Sequence, residues 1–160
     1  MKNKIRFSVV STIITIFVLV VFVVGIIALI GNTQKLIAFC CILGAMIIAG
    51  LFYCPKFVEA NGSGITLSRL LSLPKFIGYA EIQSVDTCYP SSVGFRLCAS
   101  GGFFGYWGYF KDPLIGTYFG YYGNRDSCFL IKLKNSMQYV IGCENAVAMV
   151  EYINSQISHR

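Results

Sequence analysis

Histidine and paired carboxylates, which carry out much of enzyme chemistry, are sparse in this chain. The one histidine is His159, next to the last residue, where we expect a frayed end. A Ser-His-Asp or Cys-His site needs an imidazole held firmly beside its nucleophile. The seven Asp and Glu residues fall at expected turns, strand edges or helix faces, so no acid and base pair stands out. We therefore predict no catalytic residues and no enzyme activity.

Cysteines are the other side chains that could react or bind a metal, and the chain has seven of them. Cys40 and Cys41 lie in an apolar run, and Cys54 directly follows it. No C-x-x-C pair and no zinc-like spacing occurs among the others, which are Cys88, Cys98, Cys128 and Cys143. We expect reduced, mostly buried thiols, without a metal, a cofactor or a disulfide framework.

A glycine-rich segment, Ser100 to Gly108, has a glycine at every third position. No Gly-Lys-Ser/Thr follows, and no helix is predicted to begin there, as a phosphate-binding loop would require. A tightly turned hairpin, whose glycines relieve crowding, fits this spacing better. A small enzyme or nucleotide-dependent regulator using this loop is the alternative.

Six aromatic residues lie within the eight positions from Phe103 to Phe110, too many for one small core. Exposed rings form contact sites for proteins or membranes. We predict a contact surface made of Arg96, Phe103, Phe104, Tyr106, Trp107, Tyr109 and Lys111. The alternative is that one set of rings is buried and the others pack against the strand at Tyr118 to Tyr122.

Two uncharged runs, Phe7 to Ile30 and Leu36 to Tyr53, precede all of these residues. At about 1.5 Å per residue, each is long enough to cross a hydrocarbon core of roughly 30 Å. They account for a composition of 56% hydrophobic and 12% charged residues. We predict a two-helix membrane anchor at 1–54, with spans at about 7–30 and 36–53, and a separate domain at 55–160.

The five-residue connection between the spans predicts an antiparallel helical hairpin. Ala45 and Ala49 give the second span a face of small residues. Small residues also lie at matching depth on the first span, namely Ser8, Ser11, Thr12 and Thr15. We expect the two helices to pack through these faces, with a homo-oligomer formed through the same face as the alternative.

The distribution of cationic residues predicts the orientation of the two spans in the membrane. Lys2, Lys4 and Arg6 precede the first span, whereas the connecting loop has Lys35 alone, which places both termini in the cytoplasm. The same three cations could belong to a signal peptide, but the run is long for one and no A-x-A site follows. Since much of the net charge of +6 lies in the anchor, we predict no nucleic acid partner.

The chain after Pro55 changes to short strand-like segments, with an Asn-Gly turn at Asn61-Gly62. Alternation places Phe129, Ile131 and Leu133 on one face of a hairpin whose loop we assign to 135–137. An amphipathic helix follows from Ala146 to Ile157. The predicted strands are 56–60, 65–71, 76–82, 85–89, 94–99, 106–110, 117–122, 127–133 and 138–143. The fold class is α+β, mainly β: an antiparallel barrel or sandwich with a C-terminal capping helix.

The chain resembles the bacterial pleckstrin-homology-like (PH-like) domain families of small membrane proteins. Five features carry the resemblance: the helical hairpin, the Asn61-Gly62-Ser63-Gly64-Ile65 turn, Tyr79 to Ile82, the run from Phe95-Arg96 through Gly108, and the strand Tyr139-Val140-Ile141 before the last helix. It implies a bent antiparallel sheet of seven strands capped by a helix, in the bacterial inner membrane. It also implies a recognition scaffold with no catalytic site, for which fold alone does not identify a ligand.

We thus expect a non-catalytic, membrane-tethered PH-like module with the lipid bilayer as its environment. It would bind a membrane or cytoplasmic protein partner or orient at the membrane surface. Besides the loop-based enzyme, an accessory subunit of a membrane transporter is an alternative.

The expected topology can be tested with fusions after Arg160. An alkaline phosphatase, which is active only after export, should be inactive there, and a cytoplasmic fluorescent protein should be bright. Fusions after Asn32, in the loop between the spans, are the control and should give the opposite pattern. An active phosphatase after Arg160 would contradict the predicted topology.

Overall fold

The computed structural model describes residues 1–91 and 94–158, which form two long helices and a β domain closed by a third helix. The helices are α1 (Val9–Leu29), α2 (Thr33–Tyr53) and α3 (Ala146–Ser158). The strands are β1 (Lys2–Lys4), β2 (Pro55–Ala60), β3 (Gly64–Arg69), β4 (Lys75–Gly78), β5 (Ile82–Cys88), β6 (Phe95–Gly102), β7 (Gly105–Asp112), β8 (Gly116–Tyr122), β9 (Cys128–Leu133) and β10 (Gln138–Gly142).

Both long helices meet the length and composition needed to cross a membrane. Ser8 caps α1 by accepting the backbone N–H of Ser11, and Asn32 caps α2 by accepting that of Lys35. The helices contact each other near their connecting loop, where Phe39 lies over Gly25 and stacks with Phe22 at 6.0 Å between ring centroids. They form the hairpin that the short connection predicts.

The β domain contains two sheets. The first has the order β1-β2-β3-β4, and the second has the order β5-β9-β10-β8-β7-β6. Neighbouring strands are antiparallel except β8 and β10, which run parallel with Tyr139 opposite Phe119. The α+β class and the C-terminal helix are as predicted, but of the two predicted forms, barrel or sandwich, the described strands do not form a closed barrel. Two sheets and a parallel pair also differ from the single antiparallel sheet of seven strands that the PH-like resemblance implies.

A turn of 3₁₀ helix and the position of the β9–β10 loop change the bounds of the expected strands. Tyr79–Glu81 forms a 3₁₀ turn that divides the predicted strand 76–82 into β4 and the start of β5. In the β9–β10 hairpin, Ile131 lies opposite Tyr139 and Phe129 opposite Ile141. The apolar residues share one face as expected, but the loop is shifted by one residue, since the N–H of Leu133 donates to the carbonyl of Met137.

The main hydrophobic core lies between the two sheets and α3. Phe129, Ile131 and Ile141 enter it from the second sheet, and Met149 and Ile153 enter it from α3. A second cluster on the opposite face of the six-stranded sheet contains Cys88, Tyr106, Phe110, Tyr118, Tyr122, Cys128, Leu130 and Val140. Because side chains alternate along a strand, β9 and β10 are buried on both faces.

The N-terminal segment belongs to the β domain. Lys2–Lys4 pairs with β2, with Asn3 opposite Val58. The carbonyl of Lys4 accepts the N–H of Glu144, and the N–H of Ser8 donates to the carbonyl of Gly123 at 2.8 Å. The anchor predicted at 1–54 therefore includes a strand of the domain, and the start of α1 is held against both sheets.

Raising the pH above about 9 should destabilise the β domain. Burial raises the pKa of Cys88 from 9.0 to about 12, and burial raises that of Tyr118 from 10.0 to about 12. The folded state retains these protons where the unfolded chain loses them, so the free energy of unfolding falls as pH rises through this window and is unaffected below it.

Thermal unfolding of the full chain in detergent, measured across this pH range, tests the expectation. The Tyr118→Phe variant should show a shallower loss of stability above about pH 10. Tyr109→Phe, which changes an exposed ring of the same sheet, is the control and should follow the wild type. A melting temperature that stays constant across the window would contradict the prediction.

Candidate functional site

The aromatic hairpin formed by β6 and β7 ends in a tight turn at Gly102 to Gly105. Gly102 and Gly105 are paired, with φ angles of 127° and 90°, and Phe104 between them has a φ of 51°. Such positive φ values favour glycine. A Cβ on Gly102 would lie 2.7 Å from the Cδ1 atom of Ile14, and a Cβ on Gly105 would lie 2.8 Å from the ring of Phe7. Glycine thus allows the turn to lie directly against α1.

Hydroxyl groups of α1 satisfy the backbone of this turn. Ser11 Oγ donates to the carbonyl of Gly102 at 2.6 Å and accepts the N–H of Gly105 at 3.1 Å. One helical turn later, Thr15 Oγ1 accepts the N–H of Phe104 at 3.0 Å. Ser11 is the one buried residue of α1, all of which the structure describes. We call this set, Ser11 and Thr15 with the turn at 102–105, the hairpin clamp.

The other side of the turn contacts α2. A Cβ on Gly50, the one buried residue of the fully described α2, would lie 2.8 Å from atoms of both Phe103 and Phe104. Trp107 stacks on Tyr53 at the end of α2, with ring centroids 4.9 Å apart and an interplanar angle of 10°. Trp107 Nε1 donates to the carbonyl of Phe103 at 3.0 Å. The turn therefore lies between the two helices where they separate.

The small faces predicted to join α1 to α2 have a different role here. Ser11 and Thr15 bind the hairpin turn, and Ala49 lines a cleft between α2 and the hairpin. The contact between the helices comes from Phe39 over Gly25. The prediction that the two helices pack through these small faces was wrong, because the small residues of α1 contact the β-hairpin instead.

The seven residues of the predicted contact surface lie in different environments. Phe103 and Tyr106 are buried, and Phe104 and Trp107 are half-buried. The exposed members are Arg96, Tyr109 and Lys111. The aromatic turn is thus packed against this chain's own helices, and the exposed members lie further along the strands.

Alternation divides the rings of β7 between two faces. Tyr106 stacks on Tyr122 at 5.1 Å in the second core cluster. Trp107 and Tyr109 point the other way, where Tyr109 meets Phe119 edge-on at 4.8 Å. Packing against the strand at Tyr118 to Tyr122, the second of the two readings left open by the sequence, therefore accounts for much of the ring surface.

Backbone N–H groups of the glycine-rich segment form hydrogen bonds within the protein, unlike those of a phosphate-binding loop. The N–H groups of Phe104 and Gly105 donate to Thr15 and Ser11. The segment continues into β7 rather than into a helix. A phosphate-binding loop presents free N–H groups at a helix N-terminus, and neither feature is found at the turn as described.

Thiols of the β domain fall into two groups. Burial raises the pKa of Cys88 to about 12 and that of Cys143 to about 11, and it also raises the pKa of Cys128. These three are therefore protonated and unreactive near neutral pH. Cys98 is exposed on β6. Within residues 1–91 and 94–158, no group of three His, Cys, Asp or Glu residues is placed to bind a metal, and His159 lies outside the described residues.

Exposed apolar side chains collect at the end of the hairpin far from α1 and α2. Asp112, which is 3% exposed, ties the loops together there, because its carboxylate accepts the N–H groups of Ser91, Leu114 and Ile115. Phe95 and Leu97 lie nearby on β6, the edge strand of its sheet. We call the exposed residues Tyr89, Phe95, Leu97 and Leu114 the distal patch.

Sequence reasoning did not identify the distal patch or the role of Ser11. Tyr89 and Leu114 lie in loops that only the tertiary structure brings near β6. Ser11 and Thr15 were noticeable as hydroxyl residues within an apolar run, but the sequence does not show which backbone groups they bind.

Comparisons of the chain with protein-family models, with curated proteins and with solved structures found no match in any of the three.

Removing the Ser11 hydroxyl should destabilise the hairpin clamp. In Ser11→Ala, the buried N–H of Gly105 loses its partner, and the carbonyl of Gly102 keeps only the longer bond from Thr15 Oγ1 at 3.3 Å. An unpaired buried group costs about 1–3 kcal/mol. The emission of Trp107, the sole tryptophan, should shift to longer wavelength as the hairpin loosens, and the melting temperature of the full chain in detergent should fall.

Thr12→Val is the matched control, because Thr12 is exposed and its hydroxyl bonds within α1 to the carbonyl of Ser8. It should leave both measurements unchanged. Equal effects of Ser11→Ala and Thr12→Val would show that the clamp does not hold the hairpin.

Proposed function

We propose that this chain is a non-catalytic recognition module of the bacterial inner membrane, anchored by α1 and α2 and presenting its β domain to a protein partner. The observation that carries the proposal is that the domain is fixed to the helices at three places. These are the β1–β2 pairing, the direct passage from α2 into β2, and the hairpin clamp. A fixed domain presents its distal patch in one orientation.

The exposure of α1 and α2 supports membrane insertion. Helices of similar length in soluble proteins bury an apolar face, whereas here each helix has a single buried residue. Neither helix contains Asp, Glu or Arg, and the one Lys, Lys35, lies in the first turn of α2. An apolar surface of this size is stable when lipid surrounds it.

The position of β1 supports the proposed topology. Because β1 pairs with β2, the N-terminal segment and the β domain lie at the same end of the helical hairpin. Lys2 and Lys4 belong to that segment, and Arg6 binds Glu144 at 2.6 Å. The positive-inside bias then favours the cytoplasm for this end, and with it for the whole β domain.

The relationship to PH-like domains is part of the proposal. The C-terminal helix agrees with it, since α3 packs on the β domain through β2, β5 and β9. The division of the strands into two sheets departs from it. The parallel β8–β10 pair and the N-terminal strand are additions to that plan. The proposal of a binding function does not depend on the family.

The distal patch is the surface that we propose for the partner. Phe95 is 73% exposed and Leu114 is 89% exposed. Lys111 lies opposite Phe95 on β7 and has no ion pair among the described residues, whereas the guanidinium of Arg96 extends along β6 over Gly101. An exposed cluster of apolar side chains marks a contact surface, and Tyr side chains such as Tyr89 are enriched among binding hot spots. Anchoring in the membrane plane raises the effective concentration toward other membrane proteins, and a fixed orientation lowers the entropy lost on binding.

A photo-crosslinking amino acid at Phe95 or Leu97, in the full chain expressed in its native membranes, tests this proposal. We expect an adduct of defined mass at each position. Val147, which is 53% exposed on α3, is the control position and should give none. Lys111→Glu, opposite the probe at position 95, should reduce the adduct.

Other outcomes would redirect or overturn the proposal. Adducts that form from the lipid-facing Ile16 of α1, and not from Phe95, would favour the accessory subunit of a transporter. Stabilisation of the purified chain by a nucleotide, without adducts at any position, would favour the loop-based regulator. No adduct at Phe95 or Leu97 under any condition would exclude the distal patch as the binding site.

A further inference from the structure

A lateral cleft lies between α2 and the aromatic hairpin, on the face of β7 that carries Trp107. Its volume is about 300 Å³. The lining residues are Met46 and Ala49 of α2 and Cys98, Ala99, Ser100, Phe103 and Trp107 of the hairpin. The Ser100 hydroxyl donates to the carbonyl of Phe103 at 2.9 Å, and Trp107 Nε1 donates to the same carbonyl, so these polar groups are already paired. The cleft therefore offers apolar contacts.

Position along α2 indicates what fills the cleft. Ala49 and Met46 precede Tyr53, the last residue of α2, by about 6 and 10 Å of helix rise. The stacked rings of Tyr53 and Trp107 mark the outer end, as aromatic residues commonly do at the interface between headgroups and hydrocarbon. In a membrane-inserted chain, the cleft thus runs from the interface into the outer part of the hydrocarbon core.

The volume of the cleft distinguishes between two possible occupants, a helix of a partner protein and a hydrocarbon chain. An α-helix is about 10 Å across with its side chains, so one turn of a partner helix does not fit in this volume. A single flexible hydrocarbon chain needs no backbone hydrogen bonds and can follow a narrow apolar cleft at this depth.

We propose that the cleft is a binding site for one acyl chain of a membrane phospholipid, held between Ala49 and Met46 on one side and Trp107 and Phe103 on the other. This inference rests on the proposed insertion of α1 and α2 in the bilayer. The bound chain fills the gap between hairpin and α2 and packs the Trp107 ring, so the lipid becomes part of the contact that fixes the β domain on its anchor.

Quenching of Trp107 by brominated phospholipid tests the site directly, since Trp107 is the sole tryptophan. The full chain is reconstituted in phosphatidylcholine bilayers with bromines on the acyl chain, either near its carboxyl end or near its middle. We expect strong quenching in the wild type, greater with bromines near the carboxyl end. Ala49→Leu, which fills the cleft, should lose most of this quenching while its emission in unbrominated lipid stays unchanged.

Ala45→Leu provides the matched control. Ala45 lies one helical turn before Ala49 on α2, is exposed and does not line the cleft. It should be quenched as the wild type is. In native mass spectrometry from mild detergent, the wild type and Ala45→Leu should retain one phospholipid, and Ala49→Leu should retain none.

Equal quenching and equal lipid retention in Ala49→Leu and the wild type would overturn the acyl-chain site and leave membrane insertion intact. Release of the wild-type chain from membranes by alkaline carbonate, with no quenching in any variant, would overturn both. A shift of Ala49→Leu emission to longer wavelength in unbrominated lipid would show that the hairpin has moved away. In that case native mass spectrometry tests the proposal, and a phospholipid still bound to Ala49→Leu would overturn the acyl-chain site.

Discussion

The two hydrogen bonds of the Ser11 hydroxyl determine how the β domain sits on its helices. A hairpin turn leaves backbone groups without partners inside its own sheet, and water usually satisfies them. Here the turn at Gly102 to Gly105 lies between apolar helices, and Ser11 Oγ serves both the carbonyl of Gly102 and the N–H of Gly105. Since residues four apart share one face of a helix, Thr15 is placed to accept the next N–H, that of Phe104.

Glycine is required at this turn for a steric reason as well as for its φ angles. The hairpin can bring its backbone within hydrogen-bonding distance of a serine only if no side chain intervenes, and Ile14 and Phe7 occupy the space that Cβ atoms would need. Gly108 has a similar role further along β7, where its φ is 114° and a Cβ would lie 2.3 Å from the carbonyl oxygen of Cys98. The glycines therefore serve the close approach of backbones.

Fixing the domain changes how an anchored module can work. A domain on a flexible linker could rotate relative to its helices. Here the linker between α2 and β2 is a single residue, Cys54, which restricts such rotation. The N-terminal segment adds the strand β1 to the sheet that contains β2, so the chain on both sides of the helical hairpin belongs to the β domain. The turn of the aromatic hairpin thus lies against the helices, and the distal patch lies at the other end of that hairpin.

The sequence by itself determined the secondary-structure elements. Long uncharged runs allow only helices in lipid, and period-two alternation marks strands, so two helices, the strands after Pro55 and the last helix were predicted near their observed positions. These are local signals, because each depends on residues a few positions apart. The strand Lys2–Lys4 was not predicted, because three residues of a basic segment are too few to show an alternating pattern.

Only the tertiary structure decided which faces meet. The pairing of β8 with β10 in parallel, the addition of β1 to β2 and the loops joined by Asp112 depend on residues far apart in the chain. The same holds for the aromatic hairpin: its sequence showed too many rings for one core but could not show that α1 and α2 would take up Phe103 and Trp107. Whether a side chain is buried depends on the residues that pack against it, and these residues are distant in the sequence.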